Sequence, residues 1–199
     1  MSISETTELA PAFSPLLRQY SLEEFWRLSE PEGRAHYDLI GGNLFMVLPP
    51  DPPHGDVDSR LNKSLVGFLA ANGIAGNVYH PREAIYLGDT YIEPDMMYVS
   101  EALAAKMGKP RISADIVFEI LSRTTANYDR TTKADTYLAL GVPELWLVDS
   151  ETGIIEIRNA APTKPFPTWK GRRYSRGESA HSLVLTGWQV AVDSLFAGL

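Results

Sequence analysis

The amino-acid sequence predicts an α/β or α+β fold in which helices flank a central mixed β-sheet. Short runs rich in β-branched and aromatic residues recur between turn residues, which indicates strands. Other segments carry apolar residues at helical spacing. Helices and strands alternate along the chain, and this order is typical of a mixed sheet with packed helices rather than of a bundle or a β-sandwich.

Size and composition favour one globular domain. The chain has 199 residues, of which 44% are hydrophobic and 22% charged, so it can bury a sizeable core. We expect a poorly ordered lead-in over residues 1–20 and a single domain over 21–199. Cysteine is absent, which excludes disulfides and thiolate metal sites. The N-terminus resembles no secretion signal and no long apolar stretch occurs, so we expect a soluble, cytoplasmic protein without a membrane partner.

The first half of the chain predicts a helix, a hairpin and a second helix. Ser21 followed by Glu24 forms a capping-box pattern that starts the first helix. Two strand-like runs surround Gly41 and Gly42, whose tolerance of positive φ suits a tight hairpin turn. Apolar residues at helical spacing then predict a helix from His54 to Asn72.

The second half of the chain is richer in strands. Runs around "NVYHPREAIYL" and "YIEPDMMYVS" predict strands, and a short helix is expected over 101–107. A buried strand "IVFEIL" precedes a helix predicted from about Asn127 to Leu140. The strands "ELWLVD" and "IIEIRN", joined by a turn at "SETG", follow that helix.

Two carboxylates stand out against these strands. Glu119 lies inside an apolar run, where an unpaired carboxylate is costly, so it either faces solvent or has a partner. Asp95 follows Pro94, which by itself favours a turn residue. If the two strands are neighbours, both carboxylates can meet at one end of the sheet and share a cation. Mg²⁺ or Mn²⁺ suits such oxygen ligands.

Lys133 is the third candidate. It follows Asp129 by four residues and precedes Tyr137 by four, at the border of the apolar stripe of its helix. Its ammonium could therefore reach back over the sheet and orient an attacking water or stabilise developing negative charge. The alternative is a helix-surface ion pair with Asp129, worth only about 0.3–0.5 kcal/mol.

These motifs carry a family resemblance. The segments "YDLIGGNLFMVLPP", "EPDMMYVS" and "IVFEILSRTTANYDRTTKADTYLALGVPELWLVD" resemble the bacterial Uma-two family, a branch of the PD-(D/E)XK nuclease superfamily, over roughly residues 20–190. The resemblance implies a restriction-endonuclease-like core, Asp95 and Glu119 as ligands of Mg²⁺ or Mn²⁺, and catalysis by these two with Lys133. Position 121 is Leu, where the superfamily would normally place the lysine, and the family supplies it from the next helix.

Two accessory positions follow from the same resemblance. The family typically has Glu after the turn glycine, whereas this chain has Asn43, an amide that can ligate a metal but carries no charge. This change predicts weaker metal affinity unless Asp38 compensates. His54 matches a histidine that the family tends to show, although a histidine at a helix start is more often a packing or capping residue.

A basic, aromatic stretch near the C-terminus is the candidate DNA contact. The net charge of -7 and pI near 5.1 argue against wholesale electrostatic binding of nucleic acid. Six basic residues and no acid nevertheless lie between 157 and 177, among them Lys170, Arg172 and Arg173. They could contact a phosphate backbone while neighbouring aromatic rings stack on bases, or they could belong to a solvated loop and hairpin.

Three functions are consistent with these patterns. The first is a Mg²⁺-dependent endonuclease that hydrolyses DNA phosphodiester bonds. The second is a catalytically degenerate nuclease-fold module with a binding or assembly role, motivated by Asn43 and the acidic composition. The third is a phosphohydrolase for a smaller substrate. Nucleases of this superfamily often form homodimers, but no self-complementary surface is apparent in the sequence.

Overall fold

The computed structural model of the chain describes residues 18–33, 35–50 and 52–199. The predicted lead-in therefore lies almost entirely outside the described residues. Local sequence signals position the elements of the N-terminal half as expected. These are α1 (Leu22–Phe25), β1 (His36–Ile40), β2 (Asn43–Val47), α2 (His54–Ala71), β3 (Gly76–Tyr79), β4 (Ile85–Leu87), β5 (Thr90–Ile92) and β6 (Met96–Ser100).

The remaining elements follow the predicted order as far as the strand at "IIEIRN", a hairpin lies at the basic stretch, and the later elements were not predicted. They are α3 (Glu101–Met107), β7 (Ile116–Leu121), α4 (Ala126–Tyr128), a π-helical turn (Asp129–Lys133), α5 (Ala134–Ala139), β8 (Glu144–Asp149), β9 (Ile154–Ala161), β10 (Thr168–Tyr174), β11 (Ser179–His181), β12 (Gln189–Ala191) and α6 (Val192–Leu195). No helix in the described ranges is both long and apolar enough to cross a lipid bilayer.

The predicted mixed sheet is confirmed. Six strands pair in the order β10-β9-β8-β7-β6-β3, with β7 and β8 parallel and the other neighbours antiparallel. A second, antiparallel sheet has the order β2-β1-β5-β4, and β11 pairs with β12. The hairpin at Gly41 and Gly42 and the capping box at Ser21 are both present, although α1 has only four residues.

Strand alternation divides the core into two layers on opposite faces of the six-stranded sheet. Three residues of β7, Ile116, Phe118 and Ile120, pack in the layer that contains α2. The apolar residues of α2 that face this layer are buried: Val57, Leu61, Leu65 and Leu69. Val117 and Leu121 point to the other layer, which contains Ala134 and Tyr137. These two residues belong to the helical segment 126–139 that carries Lys133, here called the lysine helix. Glu119 shares that second face by alternation, and this places it under the lysine helix.

The lysine helix departs from the predicted regular helix. The expected segment from about Asn127 to Leu140 is helical from Ala126 to Ala139, but Asp129–Lys133 form a π-helical turn. Such a turn inserts an extra residue into the helix and is frequent at functional sites. Apolar periodicity indicates only that a helix exists, so the sequence did not reveal this local widening.

Gly76 at the start of β3 is required by a close backbone approach. Its φ is +149°, and a Cβ there would lie 2.6 Å from a ring carbon of Tyr98 and 2.8 Å from the Val99 carbonyl oxygen. We expect Gly76→Ala to lower the free energy of unfolding by about 1–3 kcal/mol, measured by urea titration. The matched variant Gly67→Ala, in open space on α2, should instead stabilise the protein by about 0.5–1 kcal/mol. Equal effects of both variants would contradict this account.

Candidate active site

A cleft of about 670 Å³ opens at one end of the six-stranded sheet. The start of α2, the residues before β6, the end of β7 and the π-helical turn all contribute to its wall. These elements bring together side chains that are far apart in sequence. Among the residues that line the cleft are His54, Asp95, Glu119, Asp129 and Lys133.

Asp95 lies opposite Glu119 because of the register between β6 and β7. Met96 pairs with Phe118 in this antiparallel ladder, so the next pair outward is Asp95 and Glu119. Asp95 Oδ2 accepts a hydrogen bond of 2.7 Å from the Ile120 amide and lies 3.1 Å from His54 Nε2. Burial by itself would raise the pKa of Asp95. The hydrogen bond and positive charge of His54, the charge of Lys133 and the hydrogen bond from the Ile120 amide outweigh burial, so the pKa lies below its ordinary value.

Glu119 is buried because it has partners. Its side chain is only 1% exposed, and Lys133 Nζ lies 2.9 Å from Oε1 and 3.1 Å from Oε2. The Tyr137 hydroxyl donates a second hydrogen bond to Oε1. Burial raises the pKa of Glu119 while the Lys133 charge opposes this rise. The apolar strand therefore tolerates the carboxylate through an ammonium and a phenol.

Lys133 reaches this carboxylate from the last position of the π-helical turn. Its side chain is 4% exposed, and Nζ also donates a 2.9 Å hydrogen bond to the Glu93 carbonyl oxygen. Burial lowers the pKa of Lys133, but the carboxylates around it, Glu119 first, outweigh burial and raise that pKa above its ordinary value. A helix-surface pair with Asp129 is not its main contact, since that distance is 3.9 Å.

Asp38 also belongs to the cluster around Lys133, although the sequence indicated it only as a possible compensation for Asn43. It is fully buried in β1, where Oδ1 accepts from the Glu93 amide at 3.0 Å and Oδ2 from the Tyr128 hydroxyl at 3.1 Å. Lys133 Nζ lies 3.9 Å from Asp38 Oδ2. The sequence signal that could have identified Asp38 is the one that identified Glu119, a carboxylate between apolar residues of a strand.

Asn43 and the basic stretch lie away from these residues. Asn43 is at the hairpin turn, where its amide donates to the Ile40 and Gly41 carbonyl oxygens, and it does not line the cleft. Lys170, Arg172 and Arg173 lie on β10, the edge strand three positions from β7 in the sheet. Arg173 Nε contacts Glu156 at 3.1 Å, and the Arg172 guanidinium lies over the Tyr174 ring.

The donor set suits a hard divalent cation without forming a complete cage. Asp95 and Glu119 supply carboxylate oxygens from facing positions, and the Asp95 side chain is 24% exposed to the cleft. Within the described ranges, however, no group of three or more His, Asp and Glu side chains is arranged to hold a metal ion. Mg²⁺ is commonly bound by one or two carboxylates with water and substrate phosphate, so the residues fit that mode.

The acid Asp129 gives the cluster a defined pH dependence. Burial raises its pKa from 3.8 to about 6, although the Lys133 charge opposes this shift. A carboxyl group with a raised folded-state pKa contributes most to stability when protonated, so this contribution falls as the pH rises from about 4 to about 6. We expect Asp129→Asn to remove that fall and to increase the free energy of unfolding at pH 7 by about 1–3 kcal/mol.

Urea unfolding of wild type and Asp129→Asn between pH 4 and pH 7 measures this effect. Asp135→Asn is the matched control, because Asp135 is exposed on the same helix. A loss of stability in Asp129→Asn at pH 7 would show instead that the ion pair with Lys133 outweighs the cost of burial.

Comparisons with known proteins identify the fold and the family of this chain. A solved structure titled as a putative nuclease belonging to DUF820, from Anabaena variabilis, superposes with a TM-score of 0.72 and 17% sequence identity, covering 89% of this chain and 97% of that one. This likeness confirms the fold, a central mixed sheet flanked by helices. No curated protein matches the chain. The model of a family described as "Putative restriction endonuclease" matches residues 22–193, and the chain therefore belongs to that family, Uma2.

Proposed function

We propose that the protein is a metal-dependent endonuclease that hydrolyses DNA phosphodiester bonds. The observation that carries this proposal is the convergence of Asp95, Glu119 and Lys133 on one cleft in a chain of this family. Two acids that can bind a cation and a lysine that can stabilise negative charge, around a cleft open to solvent, suit metal-assisted phosphodiester hydrolysis.

Asp95 and Glu119 would hold Mg²⁺ or Mn²⁺. When bound, such a cation polarises a phosphoryl oxygen and lowers the pKa of a water. Asp95 is held in place for this role, because its Oδ2 is anchored by the Ile120 amide and His54. Glu119 is positioned by Lys133 and Tyr137, which lock its rotamer before any substrate arrives.

Lys133 would orient the attacking water and stabilise the negative charge that develops on the phosphoryl oxygens. Its raised pKa keeps the ammonium charged at neutral pH, so it acts as a donor and not as a base. The hydrogen bond to the carbonyl oxygen of Glu93, in the segment between β5 and β6, holds Nζ in place beside Glu119. His54 would hold the Asp95 carboxylate in place through the contact between Nε2 and Oδ2.

Docking of DNA requires cations outside this centre, because acidic side chains outnumber Lys and Arg along the cleft. The basic residues Lys170, Arg172 and Arg173 on the edge strand are candidates for contact with the phosphate backbone. Charge reversal of Arg172 and Arg173 tests this role. A weaker affinity with a shallower salt dependence supports it, and unchanged binding removes it.

Cleavage of supercoiled plasmid and of single-stranded DNA by purified protein, with Mg²⁺, Mn²⁺ or chelator, tests the proposed activity. The expected result is nicking or cutting that requires the metal and stops in chelator. No cleavage of either substrate, combined with no Mn²⁺ binding by calorimetry, would contradict the proposal.

A catalytically degenerate binding module is the second candidate. It is favoured by Asn43, which is neutral where the family typically has Glu, and by the engagement of both Glu119 oxygens by Lys133 and Tyr137. The two functions differ in metal binding. A nuclease binds Mn²⁺ through Asp95, whereas a degenerate module binds DNA equally well with and without the metal and cuts neither substrate.

A further inference from the structure

A second cavity, of about 180 Å³, adjoins the active-site cleft and is lined by aromatic rings. We call it the aromatic pocket. Its volume lies below the range of pockets for drug-sized ligands, so it suits one small planar ring system. Its aromatic lining comes from Phe25, Trp26, Tyr37 and Tyr91.

The rings at the aromatic pocket contact one another or a neighbouring ring in tilted or edge-on arrangements, and Trp26 is the exposed member. Phe25 and Tyr91 have ring centroids 4.9 Å apart, and Trp26 meets Tyr86 edge-on at 6.2 Å. Trp26 is nevertheless 60% exposed. An exposed tryptophan supported by further rings is the arrangement on which unpaired nucleic-acid bases stack.

Three polar residues connect the aromatic pocket to the cleft, because His36, Arg82 and Glu93 line both cavities. His36 Nε2 is buried without a hydrogen-bond partner in the described part of the chain, and its distance to Asp38 Oδ1 is 3.8 Å. The Glu93 carboxylate accepts from the Tyr91 hydroxyl at 3.3 Å. The junction therefore places the polar residues His36 and Glu93 beside the aromatic pocket.

Arg82 supplies a cation at this junction. Its φ of 78° is rare for a residue other than glycine. Among residues 18–33, 35–50 and 52–199, no ion pair or hydrogen bond engages its guanidinium, whereas Lys133 is fully engaged by the acids of the active site. An exposed arginine between the cleft and the aromatic pocket, without a partner among the described residues, suits a phosphate group.

We propose that the aromatic pocket receives a single unpaired DNA base while Arg82 contacts a phosphate of the same strand. The substrate would then be single-stranded or locally unpaired DNA, with the scissile phosphate in the adjoining cleft. This inference rests on the proposed nuclease function. A base inside a duplex is stacked and paired, so it can enter the pocket only after leaving the helix, which costs free energy.

Fluorescence anisotropy in chelator measures this binding without cleavage. The probes are a labelled single strand, the duplex of the same sequence, and a strand of equal length whose residues lack bases. Tighter binding of the normal single strand than of both other probes is expected. Trp26→Ala should weaken single-strand binding by about tenfold, because stacking on one aromatic side chain is lost.

The salt dependence separates the roles of Trp26 and Arg82. Arg82→Ala should reduce the slope of log affinity against log salt by about 0.7, as expected for one lost phosphate contact on a single strand. Trp26→Ala should leave that slope unchanged. Leu183→Ala and Lys106→Ala are the matched controls, since they remove an exposed apolar and an exposed cationic side chain elsewhere.

Equal affinity for the strand with and without bases, or full affinity in Trp26→Ala, overturns the aromatic pocket as a base site. Cleavage of DNA by the same variants at the wild-type rate would leave the nuclease function intact and reject only the pocket. Conversely, base-dependent binding through Trp26 without metal-dependent cleavage would keep the pocket and reject the nuclease.

Discussion

Lys133→Met is expected to lower the free energy of unfolding by about 3–5 kcal/mol, because it leaves buried carboxylates without their cation. Lys133 Nζ bridges both Glu119 oxygens and lies 3.9 Å from Asp38 and from Asp129. Methionine is close to lysine in size and fills the same space. The loss therefore reports the removed charge and hydrogen bonds and not a cavity.

A double variant makes this prediction specific. Glu119→Leu combined with Lys133→Met removes the main ion pair together, so it should recover part of the stability that Lys133→Met loses. Urea unfolding at pH 7 measures both effects. Lys63→Met is the matched control, because Lys63 is exposed on α2 and should change stability by less than about 0.5 kcal/mol. A loss in Lys133→Met no larger than in Lys63→Met would contradict the buried-pair account.

Asp95→Asn is expected to reduce metal-dependent cleavage by about 10²–10³-fold while the protein stays folded. Asparagine can still accept the hydrogen bond from the Ile120 amide through its carbonyl oxygen, so the local backbone is preserved. It cannot supply the negative charge that holds a divalent cation. The rate of plasmid cleavage and the heat of Mn²⁺ binding should therefore fall together.

Asp135→Asn serves as the control for Asp95→Asn, since it makes the same chemical change at an exposed position. Its cleavage rate and Mn²⁺ binding should equal those of the wild type. Cleavage by Asp95→Asn at the wild-type rate would exclude Asp95 from the catalytic centre. Loss of Mn²⁺ binding with retained cleavage would show that the Mn²⁺ bound in calorimetry does not serve the activity.

Much of the secondary structure could be predicted from local patterns. The strand "ELWLVD" and the helix over 101–107 have the predicted bounds, and the helix from His54 ends one residue before the predicted Asn72. Capping residues, apolar spacing and turn glycines act over a few residues, so they are visible in the sequence. The π-helical turn was missed because it changes backbone hydrogen bonding without changing the apolar pattern.

The candidate site was only partly predictable, because its contacts join residues that are far apart in the sequence. A carboxylate in an apolar run requires a partner, and this made Glu119 conspicuous. The identity of its partners depends on where Lys133 and Tyr137 lie after the helix packs on the sheet. Asn43 and Lys170 were grouped with the site by family likeness and charge, but the structure places them at a hairpin turn and on an edge strand.

Most elements and their order could be read from the sequence, which also singled out two acids and a lysine as candidate site residues. Only folding brings Asp95 opposite Glu119, adds Asp38 of β1 to the cluster, and forms the aromatic pocket beside it. Local propensity and periodicity arise from neighbours along the chain. Strand register and the packing of a helix on a sheet arise from contacts between residues that the sequence separates widely.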